Sequence, residues 1–84
     1  MGGIIEYVQT EAEEYDFDHS FSSNRYGATV IVLTDEGEPL LVVTQSYYEP
    51  TVTCWSWTDE EMTFDKDWDE DVIKDFIDQA LDDY

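Results

Sequence analysis

Four aspartates in the C-terminal segment recur at i, i+4, i+7 and i+11. They are Asp71, Asp75, Asp78 and Asp82, which we call the carboxylate row. On an α-helix this spacing sets carboxylates about 5–6 Å apart along one side of the axis. Such a row can bind positive charge through charge-assisted hydrogen bonds, above all to arginine. The chemistry that it indicates is therefore recognition of a cationic surface.

The carboxylate row continues a denser acidic run. Between positions 59 and 71, eight of thirteen residues are acidic, and only Lys66 opposes them. Together the run and the row form the predicted partner-binding set: Asp59, Glu60, Glu61, Asp65, Asp67, Asp69, Glu70, Asp71, Asp75, Asp78 and Asp82.

The carboxylate row has a cost for folding. Aspartate is a mediocre helix former, and like charges at i, i+4 destabilise a helix by a few tenths of a kcal/mol per pair. Asp82 and Asp83 also lie at the predicted helix C-terminus, where the helix dipole favours cations. The pattern favours a functional surface. The alternative is an ordinary solvated helix face.

Calcium is the natural competing ligand for so many carboxylates. The spacing of Asp65, Asp67 and Asp69 imitates the start of an EF-hand loop. The sixth loop position, however, is Glu70 where glycine is required, and the twelfth is Phe76 where glutamate is required. We therefore predict no metal site and no cofactor.

Nucleophilic chemistry lacks its parts. His19 is the only histidine and lies beside Asp18, but no serine or cysteine at a recognisable nucleophile elbow accompanies it. Cys54 falls within a predicted strand, where a buried and inert thiol is expected. The chain is predicted to be a binding protein and not an enzyme.

Composition bounds the class of protein. The 84 residues include 22 Asp and Glu against three Lys and Arg, a net charge of −19. With 42% hydrophobic and 15% aromatic residues, the chain is still predicted to fold, as one acidic α+β domain over residues 1–84. The single cysteine and the lack of a long apolar run favour a cytoplasmic protein. Its charge would repel nucleic acid and anionic membranes.

The middle of the chain predicts a small antiparallel meander of about three to four strands. Residues 28–34, 40–48 and 51–58 are rich in β-branched and aromatic side chains and are separated by short turns. Period-two alternation places Trp55 and Trp57 on one face of the third strand. At least one tryptophan is expected in the core, and the other face is available for a homodimer or a target.

A C-terminal amphipathic helix over about residues 68–83 is predicted to cover this sheet. Asp67 and Glu70 resemble a capping box before it. Its apolar stripe comprises Trp68, Val72, Ile73, Phe76, Ile77, Ala80, Leu81 and Tyr84. Near the start, residues 4–14 favour a helix over a strand at residues 4–8, a short strand is allowed at residues 15–18, and residues 20–27 are predicted to form a loop.

In size, extreme acidity and aromatic content the chain resembles small phage-encoded inhibitors that act as nucleic-acid mimics, such as anti-CRISPR proteins, anti-restriction proteins and uracil-DNA glycosylase inhibitors. The resemblance rests on overall character and not on a motif, so it assigns no role to any residue. It implies a compact non-catalytic domain. The implied partner is a cationic nucleic-acid-binding protein of the host, such as a CRISPR effector or a restriction enzyme.

Two other interpretations fit the composition. An immunity protein or antitoxin would bind a cationic toxin without imitating nucleic acid. An ordinary domain adapted to high salt would also be rich in aspartate and poor in lysine, but its acids should spread over the whole surface.

Overall fold

Five antiparallel strands pair in chain order, and two helices pack on one face of the resulting sheet. The computed structural model describes residues 3–84. The elements in chain order are α1 Ile4–Glu14, β1 Asp18–Asn24, β2 Gly27–Leu33, β3 Pro39–Ser46, β4 Thr51–Ser56, β5 Glu61–Asp65 and α2 Glu70–Asp82. The predicted α+β meander with a covering C-terminal helix is confirmed, with five strands where three to four were expected.

The core lies between the sheet and the two helices. We call helices α1 and α2 together the helix layer. Alternate residues of β2 and β4 are buried, as period two requires. The fully buried sheet residues on this side include Val30, Val32, Leu41, Val43, Val52 and Cys54. The helices contribute Ile4, Val8, Ala12, Ile73, Ile77, Ala80 and Leu81.

The other side of the sheet, which we call the open face, is not covered by any element of residues 3–84. It carries the remaining alternate residues, among them Ile31, Val42 and Trp55 in one cross-strand row. A second row of hydroxyl side chains joins all five strands: Ser22, Thr29, Thr44, Thr53 and Thr63. The two threonine pairs Thr29–Thr44 and Thr53–Thr63 are hydrogen-bonded at 3.2 and 3.3 Å.

The first predicted helix is confirmed, but the loop predicted for residues 20–27 is wrong. Most of that segment is strand β1, which pairs with β2 without a register shift. Its Ser-Phe-Ser-Ser-Asn sequence has weak strand propensity, so it forms because the neighbouring strand supplies hydrogen-bonding partners. The tight turn at Arg25 and Tyr26 is fixed by the side chain of Asn24, whose Oδ1 accepts N–H bonds from Tyr26 and Gly27.

The tryptophans differ from the prediction. Trp55 lies half-buried on the open face, while Trp57 follows the end of β4 and turns toward the helix layer. There its indole N–H donates to the Ala80 carbonyl at 2.9 Å, and its ring meets Tyr84 edge-on. Because β4 ends at Ser56, the alternation stops one residue too early to keep both rings on one face. No tryptophan belongs to the buried core.

The start of α2 also differs. The helix begins at Glu70, and the predicted capping box at Asp67 does not form, because Asp69 occupies the N-cap position. Asp65 instead accepts the backbone N–H groups of Asp67 and Trp68, which turns the chain before the helix. Three members of the predicted stripe are exposed: Trp68, Val72 and Tyr84.

Within residues 3–84, neither helix is long and apolar enough to cross a membrane.

Gly27 tests how tightly β2 and β3 are paired. A Cβ at this position would overlap the backbone carbonyl oxygen of Gln45. We expect Gly27→Ala to destabilise the fold by about 1–3 kcal/mol, because backbone must move to accept the methyl group. Chemical denaturation measures the change. Gly3→Ala, whose added Cβ meets open space, is the matched control and should cost less, about 0.5–1 kcal/mol, because alanine is a poorer helix N-cap than glycine. Equal effects of both substitutions would contradict this interpretation.

Candidate protein-binding site

The acidic residues are distributed unevenly over the fold. Strands β2, β3 and β4 contain none of the 22. The helices contain nine: Glu6, Glu11, Glu13, Glu14, Glu70, Asp71, Asp75, Asp78 and Asp82. The others lie in the edge strands and the connections. The charge is therefore concentrated on the helix layer and around the rim of the sheet, while the open face has an uncharged centre.

The two helices run in parallel, so acids of α1 lie beside the carboxylate row. Tyr7 of α1 contacts Asp78 of α2, and Tyr15, two turns further along α1, contacts Asp82, one turn further along α2. The sequence predicted the carboxylate row on α2 but did not identify the acids of α1 as its neighbours. Since helical spacing at residues 4–14 was already visible, the missing information was the pairing of the helices.

The carboxylate row divides into two pairs. Asp71 and Asp75 are exposed, and among residues 3–84 no side chain or backbone N–H donates to their carboxylates. Asp78 is half-buried and accepts a hydrogen bond from the Tyr7 hydroxyl at 2.9 Å, while Asp82 accepts one from the Tyr15 hydroxyl. In the described part of the chain, only the first pair therefore lacks an intramolecular hydrogen bond, and the second pair helps to join the helices.

Tyr7 lies between two carboxylates. Its hydroxyl is 2.9 Å from Glu11 Oε1 as well as from Asp78 Oδ1. Burial, followed by the hydrogen bonds to these carboxylates, raises the pKa of Tyr7 above its ordinary value. The hydrogen bond to Asp82 raises the pKa of Tyr15 to about 12. Both phenols thus stay protonated and remain hydrogen-bond donors at neutral pH.

The surroundings of Asp78 in the fold change its pKa. Desolvation, followed by its contact with Glu11, raises the pKa of Asp78, although the bond from Tyr7 opposes the shift. The folded protein therefore holds two mutually repelling carboxylates around one phenol.

The acidic run before α2 does not form one surface with the carboxylate row. Asp59, with a positive φ of 69°, and Glu60 lie in the β4–β5 turn. Glu61 and Asp65 pair with Trp55 and Thr51, which puts their side chains on the open face, away from the helices.

The remainder of the run shapes the entry to α2. Asp65 holds the turn described above, and Asp69 accepts the backbone N–H of Asp65 at 3.0 Å. Asp67 is exposed, and Glu70 forms an ion pair with Lys74 at 3.0 Å. Five members of the predicted set thus lie on the helix layer: Glu70, Asp71, Asp75, Asp78 and Asp82.

A cleft of about 230 Å³ separates the first turns of the two helices. It is lined by Gly3, Glu6, Tyr7, Thr10, Glu70 and Lys74. The Lys74 ammonium group lies 5.2 Å from the centre of the Tyr7 ring, over its face. An aromatic ring with carboxylates beside it is an environment that accepts a cationic side chain, here the protein's own lysine.

Other candidate chemistry has little support in the described structure. Cys54 is buried, and desolvation raises the pKa of its thiol to about 12, so it is not a thiolate nucleophile at neutral pH. His19 is half-buried on edge strand β1. Among residues 3–84, no group of three or more His, Cys, Asp or Glu side chains is arranged to hold a metal ion.

No protein-family model matches the chain, and no curated protein or solved structure is significantly similar to it.

Asp78 predicts the direction in which stability changes with pH. A folded-state pKa above the unfolded value means that ionised Asp78 opposes folding at neutral pH, and that its contribution is recovered as pH falls through the folded-state pKa. We expect Asp78→Asn to stabilise the protein at pH 7 by about 0.5–1 kcal/mol, because the amide can accept from Tyr7 and donate to Glu11.

Thermal melts at pH 7 and at pH 5 measure this effect. Asp75→Asn is the control, since it removes the same charge from an exposed position on the same helix. A stabilisation of equal size in both variants would mean that net charge, and not the contact with Glu11, is responsible.

Proposed function

We propose that this protein is a non-enzymatic inhibitor that occupies the cationic nucleic-acid-binding site of a host defence protein, such as a CRISPR effector or a restriction enzyme. The binding element is the helix layer, and the target loses access to its nucleic acid while the inhibitor is bound. A cytoplasmic location, in the host cell of a phage, belongs to the same proposal.

The observation that carries the proposal is the acidity of the helix layer. Nine acids lie on two parallel helices, and Lys74 is the single cation among the residues of those helices. The positive charge of Lys74 is balanced by Glu70, with which it forms an ion pair. The other carboxylates of the helix layer therefore keep their negative field. A cationic groove would meet a nearly uniform negative surface.

The geometry suits a groove that binds a duplex. Duplex DNA carries one negative charge per about 1.7 Å of axis, divided between two strands. The carboxylate row places four charges over twelve residues of α2, a length of about 16 Å, and Glu11 of α1 lies beside it. Arginine and lysine side chains that bind phosphates can donate to these carboxylates in the same way.

The cleft between the first helical turns supplies a second type of contact. An arginine of the target that displaced Lys74 would lie over the Tyr7 ring and beside Glu6 and Glu70. Guanidinium groups stack on aromatic rings and bind carboxylates in bidentate fashion, which favours arginine over the resident lysine.

The uneven distribution of charge supports this proposal over adaptation to high salt. In a salt-adapted domain the acids should spread over the whole surface, but the centre of the open face here has no charge. An immunity protein or antitoxin could use the same helix layer against a toxin. The two functions differ in whether the partner's nucleic-acid groove is covered.

The free pair of the carboxylate row allows a direct test. We expect Asp71→Asn combined with Asp75→Asn to weaken binding to the target at least tenfold, equivalent to about 1.4 kcal/mol, because both side chains are exposed and accept no hydrogen bond from any residue between 3 and 84. The target is first isolated from host lysate at low salt and identified. Binding of each variant to the purified target is then measured by calorimetry.

The matched control removes two charges elsewhere. Asp35→Asn combined with Glu36→Gln, in the turn between β2 and β3, gives the same net charge on an acidic turn outside the helix layer. Equal losses in both double variants would show that total charge alone drives binding and would contradict a localised site.

Competition tests mimicry itself. Excess protein should displace DNA or RNA from the purified target at low salt, and the affinity for the target should fall steeply as salt is raised, because exposed charges are screened. Retention of the nucleic acid by a target that is saturated with this protein would contradict mimicry. That outcome would favour the immunity-protein interpretation.

A further inference from the structure

The two edges of the sheet are protected very differently. Edge strand β5 has Glu61 and Asp65 within it, and Asp59 and Glu60 precede it. Charged residues of this kind discourage pairing with a strand of another chain. Edge strand β1 has no charged residue from Ser20 to Asn24, no proline and no register shift. In a chain with a net charge of −19, an uncharged and regular edge is an exception that calls for an explanation.

Backbone hydrogen bonding defines which groups β1 offers. The Tyr26 carbonyl accepts the backbone N–H of Tyr47, and the backbone N–H of Thr34 donates to the Glu38 carbonyl. The backbone N–H and C=O groups of the even-numbered residues of β2 therefore point toward β3. Its odd-numbered residues therefore bond to β1, and their partners there are Ser20, Ser22 and Asn24. The N–H and C=O groups of His19, Phe21 and Ser23 point away from the sheet and are open to another strand.

Phe21 is exposed although the central residues of its row in the sheet are fully buried. It pairs with Val30, which is fully buried, so its ring lies on the side of the helix layer. The ring is nevertheless 48% exposed, because β1 extends beyond the cover of α1. At the other end of the same row, Met62 on β5 is also 48% exposed. The two edges thus match in apolar exposure and differ in charge.

We propose that β1 pairs with β1 of a second copy, which makes a two-fold symmetric dimer with a continuous ten-stranded antiparallel sheet. The register centred on Phe21 places Phe21 opposite its own copy, and His19 opposite Ser23. His19, Phe21 and Ser23 are the residues whose backbone N–H and C=O groups point outward. In this register those groups can form hydrogen bonds with the same groups of the second copy. The two Phe21 rings would lie side by side and remove each other from water.

Charge at the strand ends favours a second copy over another partner. In this register Asp18 lies opposite Asn24 of the second copy, next to the adjoining Arg25. The only arginine in the chain, Arg25, whose guanidinium donates to the Tyr26 hydroxyl at 2.8 Å, would thus lie one residue from the position opposite Asp18, near enough for two symmetric ion pairs. Across the axis, the acidic α1 helices repel each other, so the dimer should strengthen as salt is raised. Binding of the proposed target has the opposite salt dependence, which separates the two interactions.

Sedimentation velocity over a series of protein concentrations tests the proposal. At high salt the mass should rise from 9.8 kDa toward twice that value. Phe21→Ser should weaken dimerisation at least tenfold, while Met62→Ser, at the matched position on β5, should leave it unchanged. Ser23→Pro removes an outward N–H without breaking a bond to β2, so it should also weaken the dimer while circular dichroism shows an intact fold.

Charge reversal tests the register. Asp18→Arg and Arg25→Asp should each weaken the dimer, and the double variant, which keeps the net charge of −19, should restore it. A protein that stays monomeric at all concentrations and salt levels would overturn the proposal. Equal effects of Phe21→Ser and Met62→Ser would overturn it too, as would a double variant that dimerises no better than the single ones. Loss of target binding in the β1 variants of a strictly monomeric protein would assign this edge to the target.

Discussion

Burial of the acid-free strands β2, β3 and β4 against the two helices is the interaction on which the structure depends. An 84-residue domain has a small core, and a net charge of −19 adds repulsion between its parts. The chain meets this constraint by keeping its acids apart from its buried residues. Its buried residues come from the central strands and from one side of each helix, and its acids lie on the outer side of the helices, the edge strands and the connections. Most of the acids therefore avoid desolvation, and the remaining cost is repulsion across the surface.

The contact between the helices shows where that separation is incomplete. Parallel packing brings the acids of α1 beside those of α2, and the fold places Tyr7 and Tyr15 between them as donors. A tyrosine can satisfy carboxylates without adding positive charge, so the surface keeps its field. An arginine at either position would stabilise the helix pair more strongly, but it would also neutralise part of the negative surface. This choice of residue is consistent with a protein whose acidity is used and not merely tolerated.

The sequence predicted the parts of the fold that depend on local pattern. The stripe at Ile73, Ile77 and Leu81 follows from a period of 3.6 and is confirmed, as is a strand in the β-branched segment that forms β2. Strand β1 could not be predicted, since its serines form a strand only because β2 is beside them. Strand β5 was hidden by its charge, although Met62 and Phe64 alternate with Glu61, Thr63 and Asp65. The helix start was misplaced because aspartates at residues 65, 67 and 69 compete as caps, and only the folded turn selects among them.

The candidate site, too, was predictable only where it depends on local pattern. Spacing on α2 was sufficient to define the carboxylate row, but the division of that row into a free pair and a pair bonded to α1 depends on a contact 71 residues apart in the chain. This division links binding to folding. A cationic partner that neutralises the helix layer would relieve the repulsion between α1 and α2 as well as gain its own contacts, and any partner that binds only the folded state stabilises it. The acids that weaken the isolated domain would then contribute twice in the complex, first by attracting the partner and then by no longer repelling each other.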